Sequence, residues 1–226
     1  MNGGGKMRMM YRRWVSSLVV AGLPWVGMTG EALDQIRRST DKILAVVQDP
    51  AMQGPAQAVV RDRRVRSLID ERFDWGAMAR SAMGAHWKTL SESQRQEFSG
   101  LFSELIKNNY LAEVEGYSGE KIRYQSETVA GKYGVVNVVI LTLRGTDVPV
   151  SYRVLQKESG WFVYDITIEG VSMVNNYRSQ IGAILQRSNY DGLVAKLRGR
   201  IAENKPGPPP AQAATENEPK ATERKP

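Results

Sequence analysis

The chain has 226 residues, 42% of them hydrophobic, which is enough for one globular domain with appendages. It has no cysteine, so thiol catalysis, disulfides and Cys-ligated metal centres are excluded. Of the net charge of +7, four charges lie near the N-terminus, at Lys6, Arg8, Arg12 and Arg13. The +3 that remains is spread among charges of both signs, a weak field with no basic stripe, so we expect no nucleic-acid partner.

The N-terminus has the pattern of an export signal. Basic residues within 6–13 precede a mostly apolar stretch over 14–26. A helix needs about 20 apolar residues to span a bilayer, so this stretch is short for an anchor. We predict a signal peptide over residues 1–31, with cleavage near 28–33; an uncleaved N-terminal anchor is the alternative. Both place the rest of the chain outside the cytoplasm, and we predict a periplasmic location.

Helical periodicity fills the first half of the predicted folded part, residues 32–201. Asp74 is placed to cap a short helix that closes at Gly84, and Ser91 with Gln94 forms a capping-box pattern ahead of a long apolar stripe. The predicted helices cover about 33–47, 57–72, 75–83 and 91–110.

The apolar period then changes from 3.6 to 2, which predicts four strands. Short turns between successive strands predict an antiparallel meander. Strands that are apolar on both faces are covered on both or line a pocket. In the last strand, Phe162, Tyr164, Ile166 and Ile168 are predicted to share one face. The predicted strands cover about 121–129, 133–143, 148–157 and 161–168.

The helical period returns after Gly170, with apolar stripes over 171–185 and 193–201. The order of helices, antiparallel sheet and helices predicts an α+β fold, with a cleft between the sheet and the helices. Six of the ten prolines lie in the last 21 residues, so we predict a disordered Pro-rich tail over 202–226.

Catalytic chemistry has little support in the sequence. His86 is the only histidine, and one histidine cannot complete a catalytic triad or a His-rich metal site. Asp165 stands among apolar strand residues and needs a partner or a proton, for which a structural ion pair or hydrogen bond is the simplest account. No phosphate-binding, dinucleotide-binding or nucleophile-elbow motif is present. We therefore predict no catalytic residue, no metal and no cofactor.

Three segments resemble one known family: FDWGAMARSAMGAHWKTLSESQRQEFSGLFSELIKNNYL, EGYSGEKIRY and GWFVYDITIEGVSMVNNYRSQIGAIL. They are similar to the MlaC family, also called the toluene-tolerance family, over about residues 33–200. Members of that family are periplasmic phospholipid-binding components of the Mla lipid transport system. The resemblance implies an NTF2-like α+β fold, in which a curved antiparallel four-stranded sheet is packed by helices around a cavity for acyl chains. It also implies two partners, an outer-membrane lipoprotein complex and an inner-membrane ABC transporter with a periplasmic lipid-binding ring.

The sequence thus predicts a non-enzymatic lipid carrier, and three alternatives stay open. An enzyme could use an NTF2-like pocket, for which Asp165 is the one plausible acid or base. A membrane-anchored adaptor domain would carry no cargo. A hopanoid or other isoprenoid could replace phospholipid, because related paralogues are associated with hopanoid-producing gene sets.

The predicted lipid-binding residues lie on one sheet face and on the helices opposite. These assignments rest on strand alternation, and a shift of one residue in register would turn each strand to its other face. The predicted pocket consists of Met78, Met83, Leu101, Leu105, Val136, Val138, Ile140, Val150, Tyr152 and Val154.

Overall fold

The computed structural model describes residues 30–115, 117, 119–142 and 145–203, with the backbone alone over 109–115. The predicted signal peptide (1–31) and Pro-rich tail (202–226) lie almost entirely outside these residues.

Six α-helices occur in this part of the chain, close to the predicted positions, and short 3-10 turns fill the gaps after α1 and α3. The helices are α1 Glu31–Gln48, α2 Ala58–Asp70, α3 Trp75–Met83, α4 Glu92–Glu115, α5 Met173–Arg187 and α6 Tyr190–Ala202.

The predicted helix boundaries follow from local capping chemistry. The carboxylate of Asp74 accepts a 3.0 Å hydrogen bond from the amide of Ala77, and Gly84 ends α3 at φ +55°. The amide of Ser91 donates to the Gln94 side chain at 2.9 Å, while the amide of Gln94 donates to the Ser91 hydroxyl at 3.2 Å. This reciprocal pair confirms the capping box at the start of α4.

The sheet is an antiparallel meander with the strand order β1-β2-β3-β4-β5, so the α+β prediction is confirmed. The predicted count of four strands was one short. The sequence pattern predicts a helix over residues 171–172, but these residues pair with β4, because Glu169 and Gly170 reverse the chain at φ 49° and 83°. A two-residue strand has no periodicity to detect. The strands are β1 Lys121–Ala130, β2 Tyr133–Leu141, β3 Asp147–Lys157, β4 Gly160–Ile168 and β5 Val171–Ser172.

A β-bulge in β4 overturns the predicted face of that strand. Val154 pairs with Val163 and Arg153 with Asp165, which leaves Tyr164 as the extra residue. Alternation is therefore interrupted at Tyr164. Ile166 and Ile168 face the same way as Trp161 and Val163, not the same way as Phe162 as predicted.

The helices are fixed to the sheet at residues 72–74. The amide of Val163 donates to the carbonyl of Arg72 at 2.9 Å, and the amide of Asp74 donates to the carbonyl of Val163 at 2.8 Å. The Arg72 guanidinium also bonds Ser39, Gln35 and the carbonyl of Trp161, and burial lowers its pKa. One arginine thus joins α1, the end of α2 and β4.

A second attachment holds α1 against β1. Glu127 of β1 accepts a 2.7 Å hydrogen bond from the amide of Leu33, in the first turn of α1. A carboxylate at this position satisfies a free amide and stabilises the positive end of the helix dipole. Gly30, the residue before α1, leaves room for the carboxylate, which a Cβ there would meet.

Replacing Glu127 with alanine should lower the free energy of unfolding by about 1 kcal/mol, because α1 loses its cap. Thr128→Ala, an exposed position on the opposite face of β1, is the matched control and should change it by less than about 0.5 kcal/mol. Denaturant unfolding followed by circular dichroism measures both. Equal stability of the two variants would show that the Glu127 hydrogen bond contributes nothing.

Candidate functional site

The side of the sheet that meets the helices is continuously apolar. We call it the inner face. Its residues belong to one hydrophobic cluster with residues of helices α1–α6. Cross-strand pairing aligns these residues in rows, such as Tyr124–Val138–Val150–Ile168. The inner face consists of Ile122, Tyr124, Val136, Val138, Ile140, Val148, Val150, Tyr152, Val154, Trp161, Val163, Ile166 and Ile168.

Burial on the inner face falls from one end to the other. Val154 and Val163, which pair with each other, are 0% and 1% exposed. The row of Ile122, Ile140 and Val148 at the far end is only partly buried. An apolar face that is sealed at one end and accessible at the other is the arrangement expected of a site for long apolar chains. We call the Ile122–Ile140–Val148 row the open end.

Large, fully buried side chains of the helices belong to the same hydrophobic cluster. Met78 and Met83 of α3 are 0% and 1% exposed, and Leu105 of α4 is 0% exposed. Methionine is flexible and polarizable, so it adapts to ligands of irregular shape. In α4 and α5, Phe102 packs edge-on against Tyr177, with 5.3 Å between ring centroids.

All ten residues predicted as a lipid pocket lie in this one cluster. Seven are buried, and Leu101, Ile140 and Tyr152 are partly buried. The structure therefore places the predicted set in the hydrophobic core, on the sheet and on helices α3 and α4. That these residues contact a lipid stays a prediction.

Sequence reasoning missed several members of the same face. Ile122 and Tyr124 alternate with Lys121 and Arg123, so the period of β1 could have found them. Burial raises the pKa of the Tyr124 phenol, and the Arg37 guanidinium lies 4.7 Å from its ring centroid. Trp161, Val163, Ile166 and Ile168 could not be assigned to one face, because their common orientation depends on the bulge.

Asp165, the candidate acid or base, is engaged in holding the start of α5. It is 2% exposed, and its carboxylate accepts hydrogen bonds from the Ser172 hydroxyl at 2.6 Å and the Val174 amide at 3.0 Å. Arg153 lies 4.0 Å away. Both oxygens have structural partners, which favours the structural account of this buried carboxylate. His86 is exposed in the turn after α3.

The described residues have neither a metal-binding cluster nor a membrane-spanning helix. They contain no group of three or more His, Cys, Asp or Glu side chains placed to hold a metal ion. None of their helices combines the length and apolarity needed to cross a bilayer.

Comparison with known proteins decides the family. The sequence model of the family described as MlaC protein matches residues 37–199, which is most of the chain. The chain belongs to the MlaC family. This confirms the resemblance found in its sequence.

Two relatives show what proteins similar to this MlaC-family chain bind. The intermembrane phospholipid transport system binding protein MlaC of Haemophilus influenzae is 30% identical over 121 residues, which cover 51% of this chain and 56% of that protein. The chain thus spans little more than half the length of this curated relative. A phospholipid-binding protein from Ralstonia solanacearum, solved in complex with a phospholipid, matches with a TM-score of 0.69 at 27% identity. That match covers 77% of this chain and 99% of the solved one.

Asp165→Ala should lower the free energy of unfolding by about 3 kcal/mol, because the start of α5 loses buried, charge-assisted hydrogen bonds. Asp147→Ala is the control. That carboxylate is 53% exposed and pairs with Arg123 at 3.3 Å, so its loss should cost less than about 1 kcal/mol. Denaturant unfolding measures both. A loss at Asp165 no larger than that at Asp147 would contradict the structural role assigned to the buried carboxylate.

Proposed function

We propose that this chain is a periplasmic carrier that binds a phospholipid between its inner face and helices α3–α5. In this proposal it moves the lipid between outer-membrane and inner-membrane components of an ABC-type transport system. The main support for this proposal is the continuous apolar inner face. This face is fully buried around Val154 and Val163 and partly exposed at Ile122, Ile140 and Val148. Membership of the MlaC family and the phospholipid-bound Ralstonia solanacearum structure support it.

The energetics explain why a soluble carrier needs such an interior. Exposing a two-chain lipid of about 30 methylenes to water costs on the order of 25 kcal/mol, at about 0.8 kcal/mol for each CH₂. A protein that encloses the chains between apolar side chains offsets most of this cost. Exchange between the carrier and a bilayer then becomes nearly isoenergetic. No bond is made or broken, so the direction of transport has to come from the partners.

The same geometry argues against the second candidate function, an enzyme. Acid–base catalysis in an apolar pocket needs a titratable group free to face the substrate. Asp165, the candidate from the sequence, is held by Ser172 and Val174 instead. The carrier needs no such group. Location in the periplasm is supported by the leader-like pattern of residues 1–31 and by the family, and it belongs to the proposal.

Val138→Trp and Val150→Trp should each reduce bound phospholipid at least severalfold. The two valines are paired neighbours midway along the inner face, where an indole would occupy the space of acyl chains. Bound lipid is measured by native mass spectrometry and by extraction after purification from the periplasm. Full lipid occupancy in both variants would show that the chains bind elsewhere.

Two further variants separate blocked binding from misfolding. Ile140 lies at the open end and is partly buried. Ile140→Trp should therefore cause less overpacking than a tryptophan at the central positions, and it should still hinder the entry of lipid. Thr128→Trp places the same side chain on the exposed, opposite face of β1 and should leave lipid occupancy unchanged. Thermal unfolding of all four variants establishes that the fold is retained.

The lipid extracted from the wild-type protein also identifies the cargo. A stoichiometric phospholipid would support the proposal, and a hopanoid or other isoprenoid would keep the carrier mechanism with a different lipid. A ligand-free protein that also fails to take up phospholipid from vesicles would contradict the carrier function and favour an adaptor without cargo.

A further inference from the structure

Helix α2 presents an outward stripe that its neighbours leave uncovered. Its inward side chains, such as Val65 and Ile69, are buried in the core. The side chains on the outward side of the same helix are exposed: Val59, Val60, Arg63, Arg64 and Ser67. We call these five residues the α2 stripe. Val59 is 67% exposed and Val60 46% exposed, so two branched apolar side chains lie in solvent one helical turn before Arg63 and Arg64.

The arginines of the α2 stripe differ from the other arginines of the helix. Arg61 donates to the carbonyl of Met52 at 2.7 Å, and Arg66 bonds Asp62, Glu104 and Asn108. Arg63 and Arg64 make no hydrogen bond or ion pair within the described part of the chain. Asp62, the acidic residue between them and Arg61, is already paired with Arg66 at 3.0 Å. The α2 stripe is therefore cationic as well as apolar.

The α2 stripe lies at the same end of the molecule as the open end of the inner face. The side chain of Gln48, the last residue of α1, donates to the Tyr117 hydroxyl at 2.8 Å, just before β1 begins with Lys121 and Ile122. The bond from Arg61 to Met52 holds the first turns of α2 close to the same end of α1. The start of α2 and the start of β1 are thus both held near the C-terminal end of α1, the end of the molecule at which the Ile122–Ile140–Val148 row lies.

We propose that the α2 stripe docks the carrier on the surface of a membrane containing anionic phospholipid. This inference rests on the proposed function, and it names the surface from which the lipid is taken or to which it is delivered. Val59 and Val60 enter the boundary between headgroups and acyl chains. Arg63 and Arg64, one turn further, contact lipid phosphates. The open end then faces the bilayer, which shortens the path of the lipid through water.

The dimensions of the α2 stripe favour a membrane over a protein partner. Two valines and two arginines on one convex helix turn are far from the roughly 800 Å² that each partner buries in a stable protein interface. A bilayer adapts to a small amphipathic projection, and its anionic headgroups attract the neighbouring arginines. Such a contact is weak and reversible, as a shuttle requires. Failure of the wild type to bind anionic vesicles in the experiment below would favour an acidic protein partner instead.

The test is co-sedimentation of the full chain with phosphatidylcholine vesicles, with and without phosphatidylglycerol. Wild type should bind the phosphatidylglycerol vesicles and release as salt is raised. A basic residue near an anionic surface contributes roughly fivefold in binding, so Arg63→Glu/Arg64→Glu should lose roughly 30-fold or more. Val59→Ser/Val60→Ser should lose severalfold at unchanged charge. Transfer of a fluorescent phospholipid between anionic vesicles should slow in both variants.

Matched controls use the same changes elsewhere on the surface. Arg187→Glu/Lys196→Glu makes an equal charge change at exposed positions of α5 and α6. Val129→Ser/Tyr133→Ser removes two other exposed apolar side chains, next to the β1–β2 turn. Both controls should bind vesicles nearly as well as wild type. Equal losses in the controls would overturn the proposal, because net charge or general hydrophobicity would then explain the binding.

Two results distinguish this inference from the proposed function. Lipid-loaded wild type that shows no preference for anionic vesicles, or stripe variants with unchanged binding and transfer, would overturn the membrane contact and leave the carrier intact. A chain that takes up no phospholipid but binds anionic vesicles through the α2 stripe would overturn the carrier and keep the membrane contact. Lipid content is therefore measured on the same preparations.

Discussion

The architecture depends on how three residues between two helices meet one strand. The carbonyl of Arg72 and the amide of Asp74 both bond Val163 of β4, and the Arg72 side chain reaches α1. β5 pairs with the same strand at Thr167 and Ile168. Together these contacts satisfy backbone groups that would otherwise form an exposed sheet edge. They also hold the segment between α2 and α3 against β4, which sets the position of α3 relative to the apolar interior.

That interior is the feature on which the proposed carrier function depends. The inner face is apolar on four strands, and burial decreases towards Ile122, Ile140 and Val148. Two buried charged side chains, Asp165 and Lys107, have structural partners. Asp165 is bonded at the start of α5, and Lys107 pairs with Glu104 at 2.7 Å and Asp70 at 3.3 Å between α2 and α4. What is left between sheet and helices is a surface suited to hydrocarbon chains, as the membership of the MlaC family leads one to expect.

Helix α2 contributes both to the hydrophobic core and to the outer surface of the protein. Its buried residues complete the core, and Arg66 ties it to α4 through Glu104 and Asn108. Its outward residues remain uncommitted, with two exposed valines beside two unpaired arginines in the described part of the chain. In the proposed docking, a stripe at the same end of the molecule as the open end brings membrane contact and lipid entry together.

The sequence by itself determined the elements whose causes are local. Asp74, Gly84 and the Ser91–Gln94 pair set helix boundaries through bonds to residues a few positions away. Strand alternation placed the six strand residues of the predicted pocket on one face of the sheet, and helical periodicity placed its four helix residues in the same hydrophobic cluster. Only the tertiary structure decided the bulge at Tyr164, the partner of Arg72 on β4, the capping of α1 by Glu127 and the end at which the inner face opens. Each of these depends on residues far apart in the chain, and neither periodicity nor capping patterns contain information about which distant backbone group a strand or side chain will meet.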